Sequence, residues 1–465
     1  MSVPDAIPMD KPSIEAVASP VAVAPRLRRV LKLWDLLYYG LIALSPIAPA
    51  TVFGLALKLS GGHATISLLF GMIGTVLTAL SYGRMAAVYP SAGSAYAYVG
   101  RSLNPHFGFL AGSAMLLEYL LIPIFCVVFG SLTAARLLPH VPYVVLAFAL
   151  SAVMTSLNLL GIRSVAHANQ ILLYFMFGVF AAFILLALRY IFHHAGFWGV
   201  FSFKPIYDPK TFSLHAIVAG TSFAALNYVG FESISTMAED AENPRRNILL
   251  ALVLVCVFIG IFSCLIIYLS QIVWPDYNGF HDPATAFMDV TRRVGGDLLF
   301  YAMTLVVVIA MTSGGIAVQL GASRLLFGLG RDSVLPRKAF TYLDPKRNTP
   351  QFNIWLCGLL TLGGGLAVGY EFIAELITLA AFFGYMLVNL AVIKHFYLTR
   401  GQKGQVVSDV MVPGVGALFC LAICCGFSTP AKIAGGLWLF ATLAYDAIRT
   451  RGFQVRPIML DLEEP

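Results

Sequence analysis

The hydrophobic positions of the chain fall into long continuous runs separated by short polar segments. A run of about 20 apolar residues has the length of a membrane-spanning helix. The pattern predicts twelve such helices, at 34–59, 64–88, 106–135, 141–160, 166–192, 214–237, 247–273, 295–325, 352–369, 372–397, 410–427 and 430–448. No segment between them is long enough for a soluble domain. We therefore predict an all-α polytopic membrane protein with one transmembrane domain at 31–448, between tails at 1–30 and 449–465.

Composition excludes several other classes of protein. Of the 465 residues, 59% are hydrophobic and 11% are charged, and the mean hydropathy is +0.82. An ordinary soluble domain is about 45–50% apolar and about 25% charged. These values exclude a soluble enzyme, a disordered protein and a nucleic-acid binder with a basic surface. The continuous apolar runs also differ from the alternating strands of an outer-membrane barrel.

The basic residues predict how the chain is oriented. Cytoplasmic loops of membrane proteins are enriched in Lys and Arg. With the N-terminus inside, 22 of the 30 basic residues lie on the inner side. The outer side holds the other 8, which are Lys58, Arg136, Arg189, Lys204, Lys210, Arg292, Arg293 and Lys432. Segment 1–30 lacks the basic-then-apolar order of a signal peptide. We therefore expect a cytoplasmic-membrane protein with both tails in the cytoplasm.

Two of the predicted helices have irregular interiors. The first contains Pro46 and Pro49 near its middle, and each proline removes a main-chain donor and clashes with the preceding turn. We therefore expect a short unwound stretch at 45–50. Polar residues and a glycine interrupt the sixth helix at mid-depth, namely Asn227, Gly230, Glu232 and Ser233. Non-helical backbone at that depth must be buried in protein or line a water-filled cavity.

The positions of these two helices predict a repeat. They are the first and sixth of the twelve, and broken helices in corresponding positions of two halves indicate an inverted repeat with a midplane binding site. We therefore expect a five-plus-five inverted repeat with two additional helices. At such breaks, free N–H groups suit a carboxylate and free carbonyl groups suit an ammonium ion.

Glu118 and Glu232 are the acidic residues that the pattern places near the middle of a span. A carboxylate at that depth costs ~2.5–3.5 kcal/mol on insertion scales, so it usually faces a cavity or a partner. Each is either a counter-charge or proton site for transport, or a protonated acid hydrogen-bonded between helices. Beside the helix 6 break, Tyr228 and Phe231 either contact a cation or gate access, or pack between helices.

Other motifs carry little chemistry. The nine histidines and seven cysteines form no metal-ligand pattern. GRSLNP (100–105) and the GxG of FGLGRD (327–332) are interpreted as turn and cap residues, because neither follows a strand as a phosphate loop does. No membrane-embedded set of nucleophile, base and oxyanion donors is present. We therefore expect no enzyme activity, cofactor, metal or nucleic-acid partner.

Four stretches resemble bacterial members of the amino acid–polyamine–organocation transporter superfamily, most of all permeases of the putrescine importer type. They are YPSAGSAYAYVGRSLNPHFGFLAGSAMLLEYLL (89–121), LNYVGFESISTMAEDAENPRRNI (226–248), SRLLFGLGRDSVLP (323–336) and NTPQFN (348–353). The resemblance covers nearly the whole chain after the N-terminal tail. It implies the five-plus-five repeat, a substrate between the unwound parts of helices 1 and 6, and alternating access.

The resemblance also implies substrate contacts in helix 1. Ser45, Pro46, Ile47 and Ala48 fall where the family binds a substrate carboxylate with backbone groups. Thr51 stands where relatives in the putrescine group have an aspartate. A diamine needs two accepting ends, so this departure makes a mono-amine or a zwitterionic amino acid nearly as plausible as putrescine.

Helices 6 and 3 supply the remaining residues that the resemblance implies. Asn227, Tyr228 and Gly230 fall on the helix 6 break, and Glu232 matches the acidic position of the family's GxE pattern. Glu118 stands at the position of an aspartate in the LLDYL stretch of putrescine importers. Helix 5 lacks the lysine that replaces a bound sodium ion in some relatives, which leaves the coupling ion open.

We therefore expect a secondary transporter in the lipid bilayer that moves an amine-bearing small molecule, either putrescine or another polyamine or an amino acid. We expect transport to be coupled to protons. An antiporter for amines or amino acids is the first alternative. A channel is disfavoured by the pair of broken helices, and an amine-binding membrane sensor is disfavoured by the short tails.

Overall fold

The structure, a computed structural model, describes residues 29–161, 165–331, 333–344, 347, 349–399, 405–455 and 457, with the backbone alone at 165–169. Nearly all of the predicted tail at 1–30 therefore lies outside the described residues. The same holds for the part of the 449–465 tail that follows 455, apart from 457.

Helices make up most of the described part of the chain. The α-helices are α1 (Leu33–Leu44), α2 (Ala48–Leu59), α3 (Ala64–Val88), α4 (Ser94–Ser102), α5 (Pro105–Ala135), α6 (Tyr143–Leu160), α7 (Val165–Ala195), α8 (Leu214–Ala224), α9 (Pro244–Val273), α10 (Ala286–Arg331), α11 (Arg337–Phe340), α12 (Gln351–Ala367), α13 (Tyr370–Val392), α14 (Val412–Gly426) and α15 (Thr429–Arg449). Four 3₁₀ segments lie at Phe197–Phe201, Ala225–Tyr228, Phe231–Met237 and Pro283–Thr285, and two π segments at Ile393–Thr399 and Val407–Met411.

The length and apolar character of these helices confirm a multi-pass membrane protein. Within the described residues, 9 helical segments are long and apolar enough to cross a membrane. The bent pair α1 and α2 makes a tenth candidate, because its two halves pass the same test together. α12 is apolar but shorter, at 17 residues.

The predicted helix boundaries agree with the structure in most places and fail at one helix. The prediction of 64–88 coincides with α3. The prediction of 295–325 begins next to the non-helical Gly296, where two helical stretches of α10 meet, but it ends short of Arg331. The glycines of FGLGRD therefore lie inside α10 and are not turn residues. Gly330 packs closely against Phe340 of α11, which holds this last turn.

α4 is a helix that hydropathy reading missed. It is only 9 residues long and contains the first half of GRSLNP, which was interpreted as a turn. Tyr98 and Val99 are buried in its core-facing side. Asn104 follows α4, and its side chain accepts a hydrogen bond from the N–H of His106, which caps the start of α5. α4 is therefore an amphipathic connector packed against the bundle.

The two ends of the bundle are held by different contacts. The proximal end is where α1 begins, and the distal end is where α2 ends. At the proximal end, Leu31 pairs with Ala241 in a short parallel bridge. At the distal end, His63 follows α2, and its Nε2 lies 3.2 Å from the hydroxyl oxygen of Thr211. Burial lowers the pKa of His63, although nearby Asp208 opposes this, so the imidazole favours its neutral form.

α3 and α9 pack along most of their lengths. Small residues allow helices in a membrane to approach closely, since dispersion contacts there replace the hydrophobic effect. Gly83 on α3 faces Leu249 on α9, and Gly260 on α9 faces Met72 on α3. Each helix therefore presents a glycine to a large side chain of the other. This contact places the core of the bundle next to the segment that follows α8.

We expect Gly83→Ala to destabilise the protein. The added methyl would overlap the Leu249 side chain and lie 2.8 Å from the Leu249 Cα atom. Overpacking of this kind costs roughly 1–3 kcal/mol, so the thermal unfolding midpoint of the detergent-purified protein should fall by several degrees.

The matched control is Gly436→Ala in α15, where an added methyl would meet no atom within 4 Å. Alanine favours a helix more than glycine does, so this variant should unfold at the wild-type temperature or slightly above it. Equal midpoints for the two variants would contradict the close packing of α3 on α9.

Candidate substrate site

The first break separates α1 from α2. The helix ends at Leu44 and resumes at Ala48, and the axes of the two halves differ by 47°. Ser45 precedes Pro46, and a residue before proline is disfavoured in the helical region. Ser45 accordingly has φ 53° and ψ 125°. The prolines thus account for a break at this position, although the predicted unwound stretch of 45–50 is too long, because α2 already includes 48–50.

The second break follows α8. The helix ends at Ala224, a 3₁₀ turn follows at Ala225–Tyr228, and a second 3₁₀ segment begins at Phe231. Between them Gly230 has φ 104°, a conformation that costs glycine little and other residues considerably more. The chain therefore changes direction at Gly230, one residue before Phe231 and two before Glu232.

The two breaks lie against each other. A methyl group placed on Gly230 would lie 3.5 Å from the carbonyl oxygen of Ala43, in the last turn of α1. One turn earlier, Gly40 of α1 packs against Ile234 of the 3₁₀ segment Phe231–Met237. The end of α1 and the start of this 3₁₀ segment are thus direct neighbours, although about 185 positions separate them in the sequence.

Glu118 and Glu232, which the sequence singled out separately, lie together beside this junction. Their carboxyl groups interact with each other and lie within hydrogen-bonding reach. The two residues are 2% and 3% exposed, respectively. A carboxylate has only acceptors, so a hydrogen bond between two carboxyl groups requires one of them to carry a proton.

Glu232 has further donors around it. The Gly230 N–H donates to its Oε2 at 3.1 Å, and the Tyr385 hydroxyl of α13 donates to the same oxygen at 2.5 Å. Backbone from the break and a side chain from α13 therefore orient this carboxyl group. A hydrogen bond donated to a charged carboxylate is stronger than one between two neutral groups.

Aromatic rings enclose the carboxyl pair. Tyr82, Phe231 and Tyr385 form a mutual edge-to-face cluster with ring centroids 4.9–5.8 Å apart. Tyr39 of α1 is within hydrogen-bonding reach of Ser233 and interacts electrostatically with Glu232. Tyr119 interacts with both glutamates and with Tyr39. The pair is thus surrounded by π-faces and hydroxyl groups.

The two aromatic residues named from the sequence both pack between helices. Tyr228 is fully buried, and its hydroxyl donates to the Leu68 carbonyl of α3 at 2.9 Å. Phe231 is fully buried in the cluster with Tyr82 and Tyr385. Asn227 is turned towards α9, where its Oδ1 accepts a hydrogen bond from Ser263 at 3.0 Å. Substrate contact by these three residues stays a prediction.

The helix 1 residues differ in the N–H groups they offer. Pro46 has none, and the N–H of Ala48 donates to the Ser45 carbonyl at 3.1 Å. Among the described residues, the N–H of Ile47 has no such internal acceptor. Thr51 uses its hydroxyl within its own helix, donating to the Ala48 carbonyl at 2.7 Å. The N–H of Ile47 is therefore available as a donor at this break.

An aromatic group closes the distal side of the site. The ring of Tyr370 in α13 lies 5.6–5.9 Å from those of Phe125, Phe129 and Phe223, measured between centroids. Its hydroxyl donates to the Thr51 carbonyl of α2. All four rings are buried. These contacts join helices α2, α5, α8 and α13 on the distal side of the junction.

The sequence did not reveal the tyrosines around the glutamates. Tyr82, Tyr385, Tyr39 and Tyr119 lie in apolar runs, where tyrosine is a common interior residue. Their approach to Glu232 depends on contacts between distant segments, 153 positions apart for Tyr385. Within the described residues, no group of three or more His, Cys, Asp or Glu side chains is arranged to hold a metal ion.

Residues 41–444, which include both breaks and both glutamates, match the amino acid permease family. The chain belongs to this family. It is therefore a transporter and not an enzyme.

Two relatives of this permease match along most of their length, and a third matches along about half. It is 29% identical over 434 residues to the low-affinity putrescine importer PlaP of Escherichia coli, covering 92% of this chain and 95% of the relative. It is 25% identical over 451 residues to the branched-chain amino acid permease BcaP of Lactococcus lactis, covering 90% and 93%. A shorter match, 27% identical over 313 residues, joins 63% of the permease to 49% of the mitochondrial cationic amino acid transporter 3 of Arabidopsis thaliana.

We expect Tyr385→Phe to impair transport by this permease without unfolding it. The substitution removes the hydroxyl that donates to Glu232 but keeps the ring in its aromatic cluster. A hydrogen bond to a charged group contributes about 1.5–3 kcal/mol, so initial uptake in proteoliposomes should fall roughly ten-fold or more.

Tyr98→Phe is the matched control, because Tyr98 is equally buried but its hydroxyl faces Ser235 and no carboxyl group. Its uptake should stay near that of the wild type. Wild-type uptake by Tyr385→Phe would show that this hydroxyl does not orient a carboxyl group used in transport.

Proposed function

We propose that this permease moves an amine-bearing small molecule across the bacterial cytoplasmic membrane by alternating access, with the amine bound at Glu118 and Glu232. The observation that carries the proposal is the buried carboxyl pair at the junction of the two helix breaks. The relatives support an amine substrate, since one is named for putrescine and another for branched-chain amino acids.

Charge balance supports a cationic group at this site. The ion pairs of the described residues are Arg84–Asp409, His106–Asp446, Arg136–Asp289 and Arg292–Asp297, and neither Glu118 nor Glu232 takes part in them. A buried carboxylate without a basic partner needs a proton or another cation. An ammonium group supplies that charge together with three donors, and the surrounding aromatic rings favour it further.

A single amine fits the site better than a diamine. Both carboxyl groups lie at one place, so they serve one ammonium group. At the helix 1 break, the free N–H of Ile47 suits the carboxylate of an amino acid. Thr51 has its hydroxyl bonded within its own helix and adds no second negative charge. An amino acid or mono-amine is therefore the favoured substrate, and putrescine the second candidate.

The finer architecture belongs to the same proposal. Two breaks in corresponding positions, five spans apart, support a five-plus-five inverted repeat. α14 and α15 then complete twelve spans within a transmembrane domain at 31–448. The distribution of basic residues supports two cytoplasmic tails, so the proximal end faces the cytoplasm.

A proton held between the two carboxyl groups would support proton coupling. An ammonium group that approached the two glutamates would stabilise both in the charged form, and the proton between them would then leave. Binding of substrate and loss of a proton are linked in this scheme, which suits a proton-driven carrier. The alternative is an antiporter that exchanges one amine for another at the same carboxyl pair.

Glu232→Gln should reduce uptake roughly ten-fold to a hundred-fold, the effect of losing a charged hydrogen bond of about 1.5–3 kcal/mol. The assay is initial uptake by proteoliposomes of putrescine, mono-amines and a panel of amino acids. Glu375→Gln is the control, because Glu375 is also a buried glutamate but its carboxyl group is bonded to Ser428 in the turn before α15. Unimpaired transport by Glu232→Gln with any substrate that the wild type carries would refute the proposed amine site.

The coupling ion is tested with imposed gradients. Uptake by wild-type proteoliposomes should rise several-fold when the inside is acidified, because the amine and the proton exchange at the pair, and it should not respond to a sodium gradient. Glu118→Gln should weaken the response to the pH gradient, because it removes one member of the pair that holds the proton. Uptake that follows sodium and ignores the pH gradient would exclude proton coupling.

A further inference from the structure

A large cavity lies at the proximal end, outside the carboxyl pair. Its volume is about 830 Å³, and α5, α10, α12 and α15 contribute most of its walls. The walls are mainly apolar, with Leu116, Leu120, Leu326, Leu356, Leu360 and Trp438 among them. A cavity with such walls binds hydrocarbon more readily than a charged amine, which gives up its hydration only for strong acceptors.

The cavity opens onto the apolar outer surface of the bundle. Leu360 of α12 lines the cavity and is also 44% exposed. The outward faces of α12 and α15 carry large exposed apolar side chains, such as Leu359 and Phe440. In a multi-pass membrane protein such a surface faces lipid, so a lipid chain has direct access to the cavity.

Basic side chains lie close in sequence to, or in contact with, residues that line the cavity. Tyr445 and Val334 line it, and the Tyr445 hydroxyl donates to the Val334 carbonyl. Arg449 donates to the Ser333 carbonyl and to the Tyr445 hydroxyl. Arg337 donates to the Arg331 carbonyl. Arg337 and Arg449 are exposed, and the ion pairs of the described residues include neither.

We propose that this cavity binds an anionic phospholipid, with one acyl chain between α5, α10, α12 and α15 and the phosphate on Arg337 and Arg449. Basic pockets between spans on the cytoplasmic side are suited to anionic headgroups. Apolar walls with basic groups beside them match the two parts of such a lipid, and the carboxylate of Glu239, which also lines the cavity, accepts the Ala92 N–H. The cavity extends to Tyr119, next to Glu118, and to Thr236, so the lipid would fill space beside the carboxyl pair.

The first experiment fills the cavity. Ala441 of α15 lines it, so Ala441→Trp should displace the acyl chain. Leu443→Trp is the control, because Leu443 is exposed on the same helix but does not line the cavity. Native mass spectrometry of full-length protein released from vesicles of phosphatidylglycerol should show bound lipid on the wild type and on Leu443→Trp. Lipid retained equally by Ala441→Trp would overturn the proposal.

The second experiment tests the headgroup. Each basic residue near an anionic surface contributes about a five-fold preference, so the double variant Arg337→Gln/Arg449→Gln should retain roughly twenty-fold less phosphatidylglycerol. The double variant Arg337→Lys/Arg449→Lys keeps both charges. It should retain most of the lipid even if the hydrogen bonds of Arg449 are lost. Arg292→Gln at the distal end should have no effect.

Three results would overturn the assignment. One is equal retention of phosphatidylcholine and phosphatidylglycerol by the wild type. Another is no retained lipid at all on the wild type. The third is a lipid-free dimer that Ala441→Trp converts to a monomer, because a second copy of the chain would then be the occupant. Thermal unfolding of each variant distinguishes loss of lipid from loss of fold.

Discussion

A carboxyl group inside a membrane bundle needs donors, and Glu232 has three within reach: the Gly230 N–H, the Tyr385 hydroxyl and the carboxyl group of Glu118. The first of these depends on the helix break, because the N–H of a residue within a regular helix is bonded to the preceding turn. The second depends on α13 and the third on α5. The environment of one carboxyl group therefore requires three separate elements to meet.

The same junction explains why the breaks are tolerated. Backbone that leaves the helix inside a membrane must find partners in protein or water. At the second break Ser233 donates to the Gly230 carbonyl at 2.7 Å, and Glu232 accepts from the Gly230 N–H. At the first break the N–H of Ala48 reaches the Ser45 carbonyl. These groups are satisfied locally, and the N–H of Ile47 is left available where a substrate is proposed to bind.

Hydropathy could predict the helices because each apolar run is a local property of the chain. It failed where charge or amphipathicity obscured the run. Arg292 and Arg293 lie in the short helical stretch of α10 before Gly296, which the predicted span left out. The Arg292 guanidinium pairs with Asp297 and lies over the Phe300 ring. α4 escaped notice because nine residues with one apolar face do not produce a membrane-length run.

The site could be predicted only in part, for a similar reason. Glu118 and Glu232 were conspicuous because a carboxyl group in an apolar run is costly, so each could be selected without knowledge of its neighbours. Their contact with each other could not be predicted, because it depends on how α5 packs against the segment after α8. Tyr385 was hidden for the same reason, since a tyrosine in an apolar run gives no sign of which carboxyl group it will contact.

Thr51 connects the site with its distal closure. Its carbonyl accepts the hydroxyl of Tyr370, which lies against Phe125, Phe129 and Phe223. The turn of α2 that follows the first break is therefore held by the same ring that blocks the distal side. A substrate that entered from that side would have to displace Tyr370 and so release the carbonyl of Thr51. In the proposed cycle, the distal side would then open in the same step that frees the turn of α2 next to the break. The alternating access of this permease would thus depend on a hydrogen bond to backbone as well as on the carboxyl pair.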